Sequence, residues 1–390
     1  MVRSLARNLL KLAVAAALVA YVAAHLEWRD ALEEPAASPA EAPILHPGRI
    51  AGDWRSGAWT FRPDREDRQP PGGPGGLDAA SLPDGWRLRP GFPTLLRGLD
   101  PGLYALGVGF WALLLLIVAW RWTLLLAAAG VPAGYGRAMR LCFIGYFFNN
   151  VLPGLTGGDL VRAVLVTRGL EERRARAAIS VFVDRIVGLF GLLALGVIVL
   201  FTADLSDTLD RPALFRLRLA VLGILVLGLA GTWAWLSPRV RRRLRLDSLL
   251  ARLPLAERLQ AVDDAVTVYR HHPGRLALAF LAAVVLQAAA ALSFWAIAAA
   301  VGGGLGVADV FAVFPVVQSV SAVPVAPAGW GIGESLFGRF FAAFGSTFTL
   351  GVAASVVFRL TTQLGVGLVG GLVWVLSRER RRGASAAPRS

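Results

Sequence analysis

A chain of 390 residues has room for two or three soluble domains at about 150 residues each, but 56% of it is apolar before its 43 glycines are counted, and only 17% is charged. Soluble domains carry about 45–50% in that set with glycine included, so a mean hydropathy of +0.59 excludes a water-soluble globule and calls for lipid as solvent. The net charge of +14 then reads as loops held in the cytoplasm, not as a nucleic-acid surface, because its arginines are spread over separate loops.

The chain opens with an apolar run after Lys11, ending near Leu26. It reads as an N-terminal transmembrane helix or uncleaved signal anchor over 1–26, in preference to a signal peptide cut near Val22-Ala23-Ala24. Residues 27–100 form a Pro/Gly-rich extracytoplasmic insert. Within it Gly48–Trp54 and Gly57–Arg62 read as strands turning at Arg55-Ser56, with Asp84–Arg89 as a third. A small β element with a loose Pro70–Gly76 loop is one reading; a disordered insert is the other.

Five apolar runs, at about 103–120, 177–201, 216–236, 276–300 and 350–376, are each long enough to cross about 30 Å of hydrocarbon. The basic flanks set their orientation: Arg121, Arg137 and Arg140; Arg162 to Arg176; the 239–245 run; and the 378–390 tail all go to the cytoplasm with both termini. Residues 237–275 read as a basic amphipathic cytoplasmic loop. The expected fold is an all-α polytopic membrane protein of about six to eight transmembrane helices, in a bacterial inner membrane.

Two segments between the spans are broken. Phe143–Arg162 and Phe314–Glu334 each begin apolar, meet proline (Pro153, Pro327), pass through glycines and end on an acid, Asp159 or Glu334, that opens a second apolar helix. Backbone freed by proline and glycine must be buried in protein or line a wet cavity. The two are therefore read as re-entrant hairpins, 141–175 and 310–347, within repeats 101–236 and 276–377 of inverted topology. Arg162 after the first acid is matched with Arg339 after the second. Ordinary short helix pairs packed through glycine are the alternative.

Charges inside apolar runs must face inward and pair. Asp184-Arg185 and Arg359, four residues before Gln363, are such charges, and the expected pairs are Asp184 with a hairpin arginine and Arg359 with Glu334. The pairs serve a transport path or fix helix register. The lone Cys142 excludes a disulfide framework, and four scattered histidines make no metal centre, so no cofactor is expected.

At Arg121-Trp122, Phe147–Arg162, Ser180–Gly188 and Gly331-Ile-Gly-Glu334, the chain resembles the lysylphosphatidylglycerol synthase transmembrane-domain family, which includes the membrane half of the multiple peptide resistance factor. The resemblance covers about 103–376. It implies a lipid-handling, flippase-like domain whose functional set is Asn149, Asn150, Pro153, Gly157, Gly158, Asp159, Arg162, Asp184, Arg185 and Glu334. Gly331, Gly333, Arg359 and Gln363 join them from the second half. The chain departs from the family in carrying an insertion at about 33–95 and in ending soon after its last span, so lysyltransferase activity is not expected.

The leading expectation is a flippase that moves an anionic, aminoacylated or polyprenyl-linked lipid through a polar cavity between the hairpins. No G-x-x-x-x-G-K-[ST] is present to bind ATP. The alternatives are a membrane transferase acting on a lipid-linked substrate and an accessory subunit of a separate synthase or glycosyltransferase.

Overall fold

The computed structural model describes residues 13, 16–35, 43–64, 77–151, 157–202, 211–244, 256–303, 305–321 and 330–386. Pro153, Pro327, the Pro70–Gly76 loop and the leucines of 245–255 lie outside them.

Among the described residues five helices are long and apolar enough to cross a membrane: Pro101–Ala128, Arg174–Thr202, Leu214–Leu236, Pro273–Val301 and Phe348–Ser377. They coincide with the five predicted spans. Of the N-terminal run, the described part is a helix of ten residues, α1 (Ala16–His25), which at 1.5 Å per residue covers about half a bilayer core.

The insert is a sheet. β1 (Asp30–Glu34), β2 (Ile44–Asp53), β3 (Ala58–Pro63), β4 (Leu77–Asp78) and β5 (Arg87–Arg89) pair antiparallel in the order β4-β3-β2-β1-β5. The register sets Ile50 opposite Phe61 and Leu32 opposite Leu88. One face alternates inward, and buried Leu32, Trp59, Phe61 and Leu77 form its small core. The three predicted strands are there. β1 and β4 were not foreseen, β1 because its Asp30-Ala-Leu-Glu-Glu sequence carries charge where strands favour β-branched residues.

The sheet is bolted to the membrane part. The Asp30 carboxylate accepts from the Ile50 and Gly91 amides at 2.9 and 2.8 Å. The Trp54 ring lies where a Cβ at Gly302 would be, 2.2 Å away, and Gly302 has φ +120°, open to glycine alone. The Arg55 guanidinium donates to the Ala300 carbonyl. α2 (Phe92–Arg97) then puts Leu95 fully into the membrane core.

The helical part is built from small-residue contacts, as expected where lipid gives no hydrophobic drive to helix association. α3 (Pro101–Ala128) and α10 (Pro273–Val301) form the central pair, with Ser293 Oγ donating to the Gly107 carbonyl at 2.7 Å. α4 (Tyr135–Val151) and α5 (Gly157–Val166) follow α3 as α11 (Val307–Ser321) and α12 (Ile332–Ala343) follow α10. α6 (Arg174–Thr202) and α7 (Arg211–Leu236) complete the first half, and α8 (Pro238–Leu244) with α9 (Ala256–Thr267) bridges to the second. α13 (Phe348–Arg359) and α14 (Val366–Ala386) end it. α11 packs on α6, and α4 packs on α14, so each half lends its first short helix to the other half's long one.

α11 runs unbroken through Pro315 to Ser321. One break was not expected from the sequence. The last span is interrupted by a π-helical turn over Leu360–Gly365, where the Thr361 and Thr362 hydroxyls donate back to Val357 and Phe358 carbonyls at 2.8 and 2.7 Å. Such back-bonding bends helices.

Candidate functional site

Asp159 and Glu334 are each the third residue of the short helix after a break, in α5 and α12. That position favours an acid, because the first amides of a helix are unpaired and positively polarised. Glu334 shows it directly: its Oε2 accepts from the Gly331 amide at 2.7 Å. Gly331, at φ +86°, makes a turn that other residues rarely adopt.

From Asp159 a row of alternating charges runs through the protein. Arg185 Nε meets Asp159 Oδ2 at 2.5 Å, and Arg162 Nη1 meets Asp159 Oδ1 at 3.4 Å. Arg162 Nη2 reaches Asp184 Oδ2 at 3.6 Å, and Arg121 Nη2 reaches Asp184 Oδ1 at 2.9 Å. Asp184 is buried to 4% exposure and Arg162 to 8%, whereas Arg185 at the end of the row is 54% exposed. Three arginines face two aspartates, so the row carries a net charge of +1. The Arg162 guanidinium lies 4.2 Å from the Trp122 ring centroid, and its Nε and Nη2 groups make no hydrogen bond among the described residues. A buried, positive, donor-rich row of this kind is suited to an anion that brings acceptor oxygens.

The second half has a shorter counterpart. Glu334 Oε1 pairs with Arg359 Nε at 2.8 Å, both buried. Trp330 lies under the Arg359 guanidinium at 5.4 Å, as Trp122 lies under Arg162. A Cβ at Gly333 would stand 2.4 Å from Arg359 Nη2, so glycine there admits the arginine. Arg185 follows its acid by 26 residues and Arg359 follows Glu334 by 25. Each arginine thus pairs with an acid at a similar distance back along the chain.

Both predicted pairs, Asp184 with Arg162 and Arg359 with Glu334, are therefore present. The match of Arg162 with Arg339 does not extend to their contacts. Arg339 donates to the Tyr21 hydroxyl at 2.8 Å, away from Glu334, because it follows its acid by five residues instead of three and falls on another helix face.

The remaining predicted residues build the frame. Asn149 Oδ1 accepts from the Gly158 amide at 2.8 Å. A Cβ on Gly158 would lie 1.9 Å from the Gly145 carbonyl oxygen, so α4 and α5 touch there backbone to backbone. Gly157 opens α5. Asn150 Nδ2 donates to the Gln363 carbonyl at 2.7 Å, which ties the first half to the π turn after Arg359. Gln363 contributes this carbonyl, which the π turn takes out of the regular helical ladder.

Arg121 departs from its sequence reading. The sequence places Arg121 on a cytoplasmic flank, yet it and Trp122 are both buried within α3, where Trp122 Nε1 donates to Ser180 Oγ at 3.2 Å. The apolar stretch Leu124–Ala129 was the available clue, since it carries the helix past them. Among the described residues no three His, Cys, Asp or Glu side chains converge as metal ligands.

The family model described as the lysylphosphatidylglycerol synthase TM region matches residues 91–370. A UPF0104 membrane protein of Methanothermobacter thermautotrophicus is 24% identical over 305 residues, which is 72% of this chain and 86% of that protein. A UPF0104 membrane protein of Pyrococcus horikoshii is 24% identical over 311 residues, 73% of this chain and 90% of its own length. The matched region begins after β5 and holds both sets of charges. The chain belongs to the lysylphosphatidylglycerol synthase TM region family.

Proposed function

We propose that this member of the lysylphosphatidylglycerol synthase TM region family moves an anionic phospholipid between leaflets, passing its headgroup along the row of charges while the tails stay in the bilayer. The observation that carries this reading is the row from Arg185 to Arg121: net positive, buried except at Arg185, and holding Arg162 donors that lack hydrogen bonds. A phosphate entering at half-exposed Arg185 competes with Asp159 for that guanidinium and then meets Arg162 by charge-assisted bonds. Asp159 resets the arginines when the phosphate leaves, so neither charge is stranded in a medium of low dielectric.

The two halves are read as an inverted repeat, with α4–α5 and α11–α12 as hairpins entering from opposite faces. Glu334 and Arg359 then perform at the opposite leaflet the exchange that Asp159 and Arg185 perform at the first. On the positive-inside assignment both termini and the 237–275 loop are cytoplasmic and the sheet is outside.

The experiment uses purified protein in liposomes carrying fluorescent phospholipids of different headgroups, with an impermeant quencher reporting the accessible fraction. Movement above that in protein-free vesicles, faster for phosphatidylglycerol than for phosphatidylcholine, is expected. Folded protein that moves neither lipid contradicts the reading and favours a transferase or accessory role.

A further inference from the structure

A second feature lies away from the row of charges and stands independently of the proposed translocation. α6, α7 and α10, together with α8, α9 and the Val268–His271 turn, line an open groove of about 1590 Å³. Its walls are apolar, with Phe182 and Phe190 on α6, Leu227 on α7 and Phe280 on α10. Sites for drug-sized ligands occupy about 300–1,000 Å³, so this groove suits a larger occupant. Along α7 it runs from Leu236 back to Leu227. At 1.5 Å per residue that is about 14 Å, close to half of a 30 Å hydrocarbon core. The apolar part is as deep as one leaflet.

Its mouth is basic. Arg239 and Arg242 on α8, and Arg270 with His271 on the turn, all border it and are exposed. Among the described residues no carboxylate pairs with Arg239, Arg242 or Arg270. Among the described residues the one acid bordering the groove, Asp263, is already taken: Arg241 donates to its two oxygens at 2.8 and 2.5 Å, and Trp235 Nε1 donates to Oδ1 at 3.0 Å. Tyr269 also borders the groove. It is 1% exposed, and its hydroxyl has no hydrogen-bond partner among the described residues. An apolar slot one leaflet deep, ending in unpaired arginines and an unsatisfied hydroxyl, complements a molecule with long apolar tails and an anionic oxygen-rich head.

We propose that this groove is a binding site for one anionic phospholipid, with its acyl chains between α6, α7 and α10 and its phosphate on Arg239, Arg242 and Arg270. The lipid fills the gap beside α7, whose lipid-facing surface is otherwise the least packed of the five spans.

The test is native mass spectrometry of the delipidated full chain given equimolar phosphatidylglycerol and phosphatidylcholine in detergent. Wild type retains phosphatidylglycerol over phosphatidylcholine by about fivefold or more. Arg239→Gln/Arg242→Gln/Arg270→Gln brings the ratio near one, and its exposed positions leave the fold intact. Gly231 borders the groove, and a Cβ there meets nothing within 4 Å, so a side chain can be started there; Gly231→Phe, shown to be folded, is expected to occupy the slot and lower retention of both lipids. The proposal is overturned if the triple variant keeps the wild-type ratio, if Gly231→Phe leaves retention of both lipids unchanged, or if glycerol phosphate displaces the lipid. Asp159→Asn, which removes translocation under the proposed function, leaves this retention at the wild-type level.

Discussion

Asp184 holds Arg121 on one side and Arg162 on the other, and it is the most deeply buried member of its row. Asp184→Asn strands two buried guanidiniums, and losing one partner of a buried pair costs about 3–5 kcal/mol. A large drop in the thermal unfolding midpoint in detergent is expected. Asp159→Asn is milder for stability, because half-exposed Arg185 can turn to solvent. An equal drop for both variants contradicts this ranking. In the sheet, Ser81 donates its hydroxyl and amide hydrogen bonds to Asp78 and holds that carboxyl below its ordinary range. The bond's stabilisation is therefore present above the ordinary carboxylate pKa and is lost as pH falls through the lowered one. Amide exchange over 77–81 in the intact chain is expected to quicken only in that acid range, and at higher pH in Ser81→Ala. Asp184 and Arg359 were legible as paired charges because each interrupts an apolar run, where an unpaired charge is untenable. Arg121 was not, since a lone arginine between two tryptophans near a span's end has the same local pattern as a cytoplasmic flank.

At the scale of elements, glycine positions decide how the short helices meet. Gly158→Ala places a methyl against the Gly145 carbonyl, backbone on backbone, and cannot be relieved by turning a side chain. A cost above about 2 kcal/mol is expected. Gly136→Ala, in α4 where a Cβ meets nothing within 4 Å, is expected to be neutral or slightly stabilising. Thermal unfolding of the two variants side by side checks this, and similar midpoints would contradict it. The five long spans were legible because twenty or so apolar residues have one stable use in a chain like this. The π turn was not legible. Nothing in Leu360-Thr-Thr-Gln-Leu-Gly breaks an apolar helix outright, and the turn is held by two threonine back-bonds and by Asn150 from the other half of the chain. The strands β2 and β3 followed from alternation about a turn, whereas β1 depends on partners on both of its sides.

For the whole molecule, the sheet lies outside the region that the family shares and is anchored to the membrane part through Trp54, Arg55 and Asp30. The family match starts at residue 91, beyond β5. Phe61→Ala empties the sheet's small core and is expected to destabilise the sheet by about 3–5 kcal/mol, seen as protease cleavage within 30–89. Lipid movement is expected to persist, since no charged residue of the row lies in the sheet. Asp159 and Glu334 stood out in the sequence because each opens an apolar helix after a Pro/Gly-rich segment, and each does stand at the third position of its helix. The exchange of α4 and α11 between halves was not legible, because it rests on contacts distant in the chain. The central claim is that the two acid–arginine pairs, Asp159 with Arg185 and Glu334 with Arg359, perform the same exchange at opposite ends of one path. The most direct test compares quencher-reported translocation of phosphatidylglycerol in liposomes for wild type, Asp159→Asn, Glu334→Gln and the double variant, each shown to be folded. The expected result is that either single variant abolishes movement, with the double variant no worse. Full translocation by the double variant would contradict the account.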